Sequence, residues 1–202
     1  MLVLFTVLRL IFPLVILKRP LLGALLAVFL DCLDWTFVPH DSGYQAWDKL
    51  LDVYYLSLEA FVSLRFASKM VRNTAILLFL VRLNGVIVFF TAGSKIPLFL
   101  FPNIFESFFV FCLLYEYFAK KRFVPSRAQL TAALAAIAIP KVIQEYAFHV
   151  NYTFPWDYAG IFAKTPGIMH EIVDKGLWIA VYLSLPAYIL YRMVKHGREV
   201  GS

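Results

Sequence analysis

Long apolar runs separated by short polar turns constrain this chain more than any other feature of its sequence. A helix needs about 20 apolar residues to cross a bilayer, and most of the runs approach that length. They cover residues 2–17, 21–36, 48–66, 75–91, 97–118, 128–149 and 176–193. The runs predict an all-α integral membrane protein in which a single bundle of seven transmembrane helices forms one polytopic domain, residues 1–202.

The first run leaves an alternative open. It contains Arg9 and Pro13, and it is short for a membrane span. Residues 2–17 therefore either cross the membrane or lie along its interface, and in the second case six spans remain.

The low content of charged side chains excludes several classes of protein. Only 16% of the residues are charged and 61% are hydrophobic, whereas a soluble domain has about 25% charged residues. So few charges cannot cover the water-exposed surface of a chain of this length. We therefore expect no ordinary soluble enzyme, no disordered chain and no nucleic acid partner. The expected location is a membrane, crossed several times, in the cell inner or plasma membrane.

Basic residues predict the orientation of the bundle. Short loops that retain Lys and Arg mark the cytoplasmic side of a membrane protein. Twelve of the nineteen Lys and Arg residues fall at alternate ends of the runs: Lys18, Arg19, Arg65, Lys69, Arg72, Lys120, Lys121, Arg122, Arg127, Arg192, Lys195 and Arg198. This distribution places the N-terminus outside and the C-terminus in the cytoplasm. We also expect the basic face to bind anionic headgroups of the lipid bilayer.

Four aspartates at the opposite face form the candidate metal site. Asp31 and Asp34 are three residues apart at the end of the second run, and Asp48 and Asp52 are four residues apart at the start of the third. Each pair shares one helix face. Converging carboxylates suit a divalent cation such as Mg²⁺, Ca²⁺ or Mn²⁺. The alternative is that these acids are solvated loop or helix-capping residues.

Candidate catalytic residues reach the same face. Glu145 and His149 are four residues apart at the end of the sixth run, and His170 precedes the seventh run. Carboxylate and imidazole groups at this spacing can form a general acid–base pair. Taken one at a time, each histidine also fits an interfacial position without a catalytic role.

Four charged residues fall near the middle of the runs and form a candidate intramembrane polar core: Glu59, Arg82, Glu106 and Lys141. Charges are costly at this depth, so such residues usually face the bundle interior and are paired. Pairs such as Arg82 with Glu106 or with Glu59 are the simplest arrangement. They would either fix the packing of helices or line a path for a substrate or a proton.

No motif in the chain names a reaction, and three functions stay open. The first is a membrane enzyme with an extracytoplasmic-facing acidic and histidine site, with a divalent cation as candidate cofactor and a lipid-borne or apolar substrate. The cation would polarise a phosphoryl or carbonyl oxygen, and Glu145 or His149 would move the proton. The second is an ion- or proton-coupled transporter or channel subunit that uses the mid-membrane charges. The third is an assembly or scaffold subunit, and an oligomer is compatible with each function.

Overall fold

The structure is a computed structural model that describes residues 2–37, 43–146 and 168–199. Side chains are described throughout these ranges except at 32, 35–37, 168–179 and 198–199. All regular structure in the described ranges is helical, as the sequence predicts. The α-helices are α1 (Leu2–Ile11), α2 (Pro20–Phe37), α3 (Tyr44–Ser63), α4 (Lys69–Ala92), α5 (Ile96–Leu100), α6 (Ile104–Ala119), α7 (Arg127–Tyr146) and α8 (Ile168–Glu199).

The first apolar run does not form one continuous α-helix. Helix α1 ends at Ile11, and a 3₁₀ helix (Phe12–Leu17) follows it, with Pro13 near its start. Proline has no backbone N–H to donate and clashes with the preceding turn of an α-helix, so the helix changes type at this position. The short 3₁₀ helix turns the chain toward α2.

The fifth apolar run was predicted as one helix, but it is also interrupted. Helix α5 ends at Leu100, and Pro102 disfavours an α-helical conformation at the residue before it. Asn103 then caps α6, because its side-chain oxygen accepts a hydrogen bond from the backbone N–H of Glu106 at 3.5 Å. The break brings backbone groups and a capping amide into the interior of the protein.

Helix α6 occupies the centre of the fold. It contacts α2, α3, α4, α7 and α8. Phe105, Phe108 and Phe109 on this helix are fully buried, and so is Cys112. These side chains join one continuous apolar core with residues of the surrounding helices. The central position of α6 explains why a helix of sixteen residues contains so many buried aromatic rings.

A close contact at Gly23 holds the 3₁₀ helix against α2. A Cβ atom at this position would lie 2.3 Å from the backbone nitrogen of Ile16, and Ile16 is fully buried. Only glycine allows the two backbones to approach this closely. The contact fixes where α1 ends relative to α2, and therefore where Arg9 lies.

The structure supports a membrane location only in coarse form. Judged by length and composition, two helical stretches within the described residues could cross a membrane, Lys69–Ala92 and Ile96–Ala119. Leu2–Leu17 and Pro20–Asp31 are shorter apolar helices. Many large apolar side chains are exposed on these segments, among them Val3, Phe29 and Leu77. The count of seven spans and their orientation stay predictions.

The Gly23 contact gives the first testable prediction. Gly23→Ala should lower the free energy of unfolding by about 1–3 kcal/mol, because the new methyl group must displace the backbone at Ile16. Thermal unfolding of the purified protein measures the change. Leu25→Ala, at an exposed position of the same helix, is the control and should have a much smaller effect. Equal effects of the two substitutions would contradict a tight contact at Gly23.

Candidate functional site

An arginine lies at the centre of the four aspartates. Arg9 Nη1 donates to Asp34 Oδ2 and, at 2.9 Å, to Asp48 Oδ1. Its Nη2 donates to Asp52 Oδ1 at 2.7 Å and forms a salt bridge of 2.9 Å with Asp31 Oδ1. The guanidinium is almost completely buried, and its plane supplies several donors in a fixed geometry. One cation from α1 thus links carboxylates from both α2 and α3. We call Arg9, Lys49 and these aspartates the acidic cluster.

Helical spacing explains why the aspartates meet. Asp31 and Asp34 share a face of α2, and Asp48 and Asp52 share a face of α3, as their separations of three and four residues predict. The two faces are directed at each other across α1. The sequence therefore predicts this convergence, but it does not predict the cation between the two pairs.

Further donors complete the acidic cluster. Lys49 Nζ donates to Asp48 Oδ2 at 2.6 Å and to Asp52 Oδ2 at 2.8 Å. The Tyr44 hydroxyl donates to Asp34 Oδ1 at 2.8 Å. Burial and the hydrogen bond to Asp34 raise the pKa of the Tyr44 phenol, so it stays a donor. Every carboxylate oxygen of Asp34, Asp48 and Asp52 thus has a protein donor.

The charges of the acidic cluster do not balance. Four carboxylates face the cations of Arg9 and Lys49, so the fully ionised cluster would carry two excess negative charges. Asp31 is the most exposed of the four, with 41% of its side chain accessible. One oxygen from each of Asp31, Asp34 and Asp48 lies within 4.8 Å of the others, a spacing that a metal ion could span. A metal ion there would have to compete with Arg9 for the same oxygens.

A line of buried polar side chains continues along α3 from the acidic cluster. These residues recur every three or four positions on one face of the helix, and each is at most 6% exposed. They are Asp48, Asp52, Tyr55, Glu59 and Ser63. We call this line the α3 polar stripe. It extends about 22 Å at the rise of an α-helix.

A second cluster joins the stripe at its middle. The Tyr55 hydroxyl donates to Glu106 Oε1 at 2.8 Å. Asn103 donates its amide Nδ2 to Glu106 Oε2 at 2.9 Å and its backbone N–H to Glu145 Oε1 at 3.2 Å. Lys141 Nζ lies 3.8 Å from Glu145 Oε1. A connected series of hydrogen-bonding groups therefore crosses from α3 to α7.

Glu59 in the α3 polar stripe differs from the acids of the two clusters in its lack of a polar partner among the described residues. It is fully buried, and in the described part of the chain neither of its carboxylate oxygens has a hydrogen-bond partner. It lies one helical turn after Tyr55 on the same face of α3. An ionised carboxylate buried without a partner is very costly, so this position favours a neutral acid or a bound cation.

The partners of Arg82 differ from those that the sequence suggested. Arg82 Nη1 donates to the carbonyl oxygens of Leu98 at 3.3 Å and Phe101 at 3.2 Å, and neither Glu106 nor Glu59 forms a salt bridge with it. The last carbonyl groups of a helix have no partner within the helix, and α5 ends here. Arg82 satisfies these carbonyl groups, which explains its burial. Of the four residues of the intramembrane polar core, only Glu106 and Lys141 belong to the second cluster by direct contacts.

The candidate catalytic residues are only partly described. Glu145 belongs to the second cluster. His149 lies outside the described residues, and for His170 only the backbone, on α8, is described. A pairing of Glu145 with either histidine therefore stays a prediction.

Arg9 and Lys49 are the charged site residues that the sequence-based predictions missed. Arg9 is the one charged residue in the first apolar run, and a charge there needs an acidic partner. Four unpaired aspartates were available in the next two runs. Matching the isolated cation with the isolated acids would have predicted the acidic cluster from the sequence.

Comparison of this chain with protein-family models, with curated proteins and with solved structures finds no match.

The acidic cluster gives the second prediction. Arg9→Gln should lower the free energy of unfolding by about 3–5 kcal/mol, because it leaves buried carboxylates without their main counterion. Adding Asp34→Asn to this variant should restore part of the loss, since one negative charge is removed. Thermal unfolding of both variants measures the two effects. Arg19→Gln, at an exposed position, is the control, and an equal loss in that variant would contradict the central role of Arg9.

Proposed function

We propose that this chain is a multi-pass membrane protein that conducts or couples protons, or small cations, through its buried polar groups. The α3 polar stripe is the observation that carries the proposal. It places titratable and hydroxyl side chains inside the protein over about 22 Å. The hydrocarbon core of a bilayer is about 30 Å thick, so such a stripe covers much of the distance that an ion must cross. Ionisable groups at this depth commonly mark ion and proton paths.

The hydrogen-bond geometry favours protons as the transported species. Tyr55 and Glu106 are joined by a hydrogen bond of 2.8 Å, over which a proton can be passed without movement of the backbone, and the Asn103 amide donates to Glu106 at 2.9 Å and holds this carboxyl group in place. Glu59 lies beside this series and has no partner among the described residues. A carboxyl group in that position can take up a proton and release it to a neighbour.

The acidic cluster fits the role of the outer end of the path. Its excess negative charge would raise the local concentration of cations and protons. Asp31 is the part of the cluster that solvent reaches, and Asp52 begins the next turn of the stripe toward Tyr55. Protons taken up at Asp31 would therefore arrive next to the stripe.

Membrane placement rests on two supports. The apolar runs are those of a multi-pass protein, and large apolar side chains cover the outside of several helices. Exposed Leu, Val and Phe residues in such numbers are a liability in water and are suited to lipid.

A flux measurement tests the proposed function and gives the third prediction. Protein in liposomes with a trapped pH-sensitive dye should admit protons when a potassium diffusion potential is imposed. Glu59→Gln should reduce this flux to the level of protein-free liposomes, because the amide can neither take up nor release a proton. Glu106→Gln should have the same effect.

Glu116→Gln is the matched control for these variants. Glu116 is also on α6, but its two carboxylate oxygens accept from Arg122 and from the backbone N–H of Phe123, and not from a residue of the stripe. The flux of this variant should equal that of the unmodified protein. The proposal fails if the unmodified protein admits no more protons than empty liposomes, or if Glu59→Gln leaves the flux unchanged.

A metal-dependent membrane enzyme is the second candidate function. It is favoured by the approach of Asp31, Asp34 and Asp48, whose oxygens lie close enough to share one cation. Against it stands the geometry of Arg9 and Lys49, which already donate to most of these oxygens. The metal would have to displace Arg9, and Glu145 would act as the proton carrier.

Manganese binding separates the two functions and gives the fourth prediction. Because Arg9 already occupies the carboxylates, the purified protein should hold no stoichiometric Mn²⁺ in electron paramagnetic resonance titrations. Arg9→Gln should increase Mn²⁺ binding, since it frees the oxygens for a cation. Tight binding to the unmodified protein, lost in Asp34→Asn, would instead favour the enzyme.

A further inference from the structure

A cavity of about 280 Å³ lies at the basic end of the protein, away from the acidic cluster. Its walls come from the end of α6, the loop over residues 120–126, the first turn of α7 and the last turns of α8. The polar groups that line it belong to Tyr115, Lys121, Arg122, Gln129 and His196. This cavity has no part in the proposed proton path.

The donors at this cavity are arranged around a shared space. Lys121 Nζ donates to the carbonyl oxygen of Gly197 at 2.9 Å, which ties the loop to α8 and holds the ammonium at the cavity edge. Arg122 is 68% exposed at its side chain and contributes a second cation. His196 adds an exposed imidazole on α8. Lys121 and Arg122 on the loop and His196 on α8 thus line one cavity, and its described lining residues include no carboxylate.

The nearest described acid is already neutralised. Glu116 Oε2 accepts from Arg122 at 3.2 Å, and Glu116 Oε1 accepts from the backbone N–H of Phe123 at 3.1 Å. Both oxygens are therefore directed at the loop. The cavity keeps a positive character, and Arg122 retains donors that Glu116 does not use.

Close packing holds Tyr115 against α8 at one wall of the cavity. A Cβ atom at Gly197 would lie 2.5 Å from the Tyr115 hydroxyl oxygen, so a side chain there would push the ring of Tyr115 out of place. Gln129 is held by a reciprocal pair of bonds with Ser126, 2.8 and 3.2 Å long. Such a pair is a capping box, and it fixes the start of α7 beside the cavity.

We propose that this cavity binds a phosphate group. Lys and Arg donors with an imidazole match the oxygens of a phosphate, and charge-assisted bonds of this kind are among the strongest in proteins. A water molecule takes up about 30 Å³ of liquid, so the cavity has room for a phosphate together with the alcohol to which it is esterified. The phosphate comes either from a lipid headgroup or from a free phosphate, and the same chemistry recognises both.

Isothermal titration of the full chain tests this site and gives the fifth prediction. Two probes are used, short-chain dihexanoyl phosphatidate and inorganic phosphate. Lys121→Gln/Arg122→Gln should weaken the binding of the recognised probe by at least about tenfold, as expected from the loss of charge-assisted hydrogen bonds. Binding of phosphatidate alone assigns the site to a lipid headgroup, and binding of both probes assigns it to the phosphate group itself.

A matched pair of substitutions controls for general positive charge. Lys18→Gln/Arg19→Gln removes the same two residue types from another basic turn with exposed side chains. This variant should bind the probes as the unmodified protein does. His196→Gln changes one side chain of the cavity and should also weaken the binding of the recognised probe. This variant tests the site if the double variant does not fold. Equal weakening in the control pair, or no binding of either probe, overturns the proposal.

Discussion

The guanidinium of Arg9 is the interaction on which the rest of the structure depends. It lies buried between carboxylates from α2 and α3, and removing a cation from water is costly unless such partners surround it. The 3₁₀ helix places α1 where Arg9 can reach those carboxylates, and the contact at Gly23 fixes the 3₁₀ helix. Helices α1, α2 and α3 are thus held by one charge network as well as by apolar packing.

This network also sets the charge at one end of the α3 polar stripe. Under the proposed function, the excess negative charge of the cluster would let it exchange protons with its surroundings, whereas Glu59 deeper in the stripe has no counterion among the described residues. We propose that this series, from a charged end to the buried acid Glu59, serves proton transfer through the apolar interior. The second cluster connects the stripe to α7 through Asn103, whose backbone N–H and side-chain amide hold Glu145 and Glu106 in place.

Much of the fold could be predicted because hydrophobic periodicity is local. The apolar runs predicted the helices. The spacing of Asp31 with Asp34 and of Asp48 with Asp52 predicted that each pair shares one face of its helix. Pro13 and Pro102 indicate interruptions of the helices. The apolar runs around them are continuous, however, and predict one uninterrupted helix in each case. The partners of Arg82 could not be predicted, because backbone carbonyl groups at a helix end leave no mark in the sequence.

By itself, the sequence determined that the chain is helical, that its charges are few, and that the acids and bases are sorted to different ends of the runs. The helical pattern and the position of a charge within a run depend only on residues that are near one another along the chain. Only the tertiary structure decided that all four aspartates converge on the guanidinium of Arg9, and that Glu59 stays without a partner among the described residues. Electrostatic pairing depends on distances between helices. The packing of α1 against α2 and α3 sets those around Arg9, and the packing of α6 against α3 and α7 sets those in the second cluster.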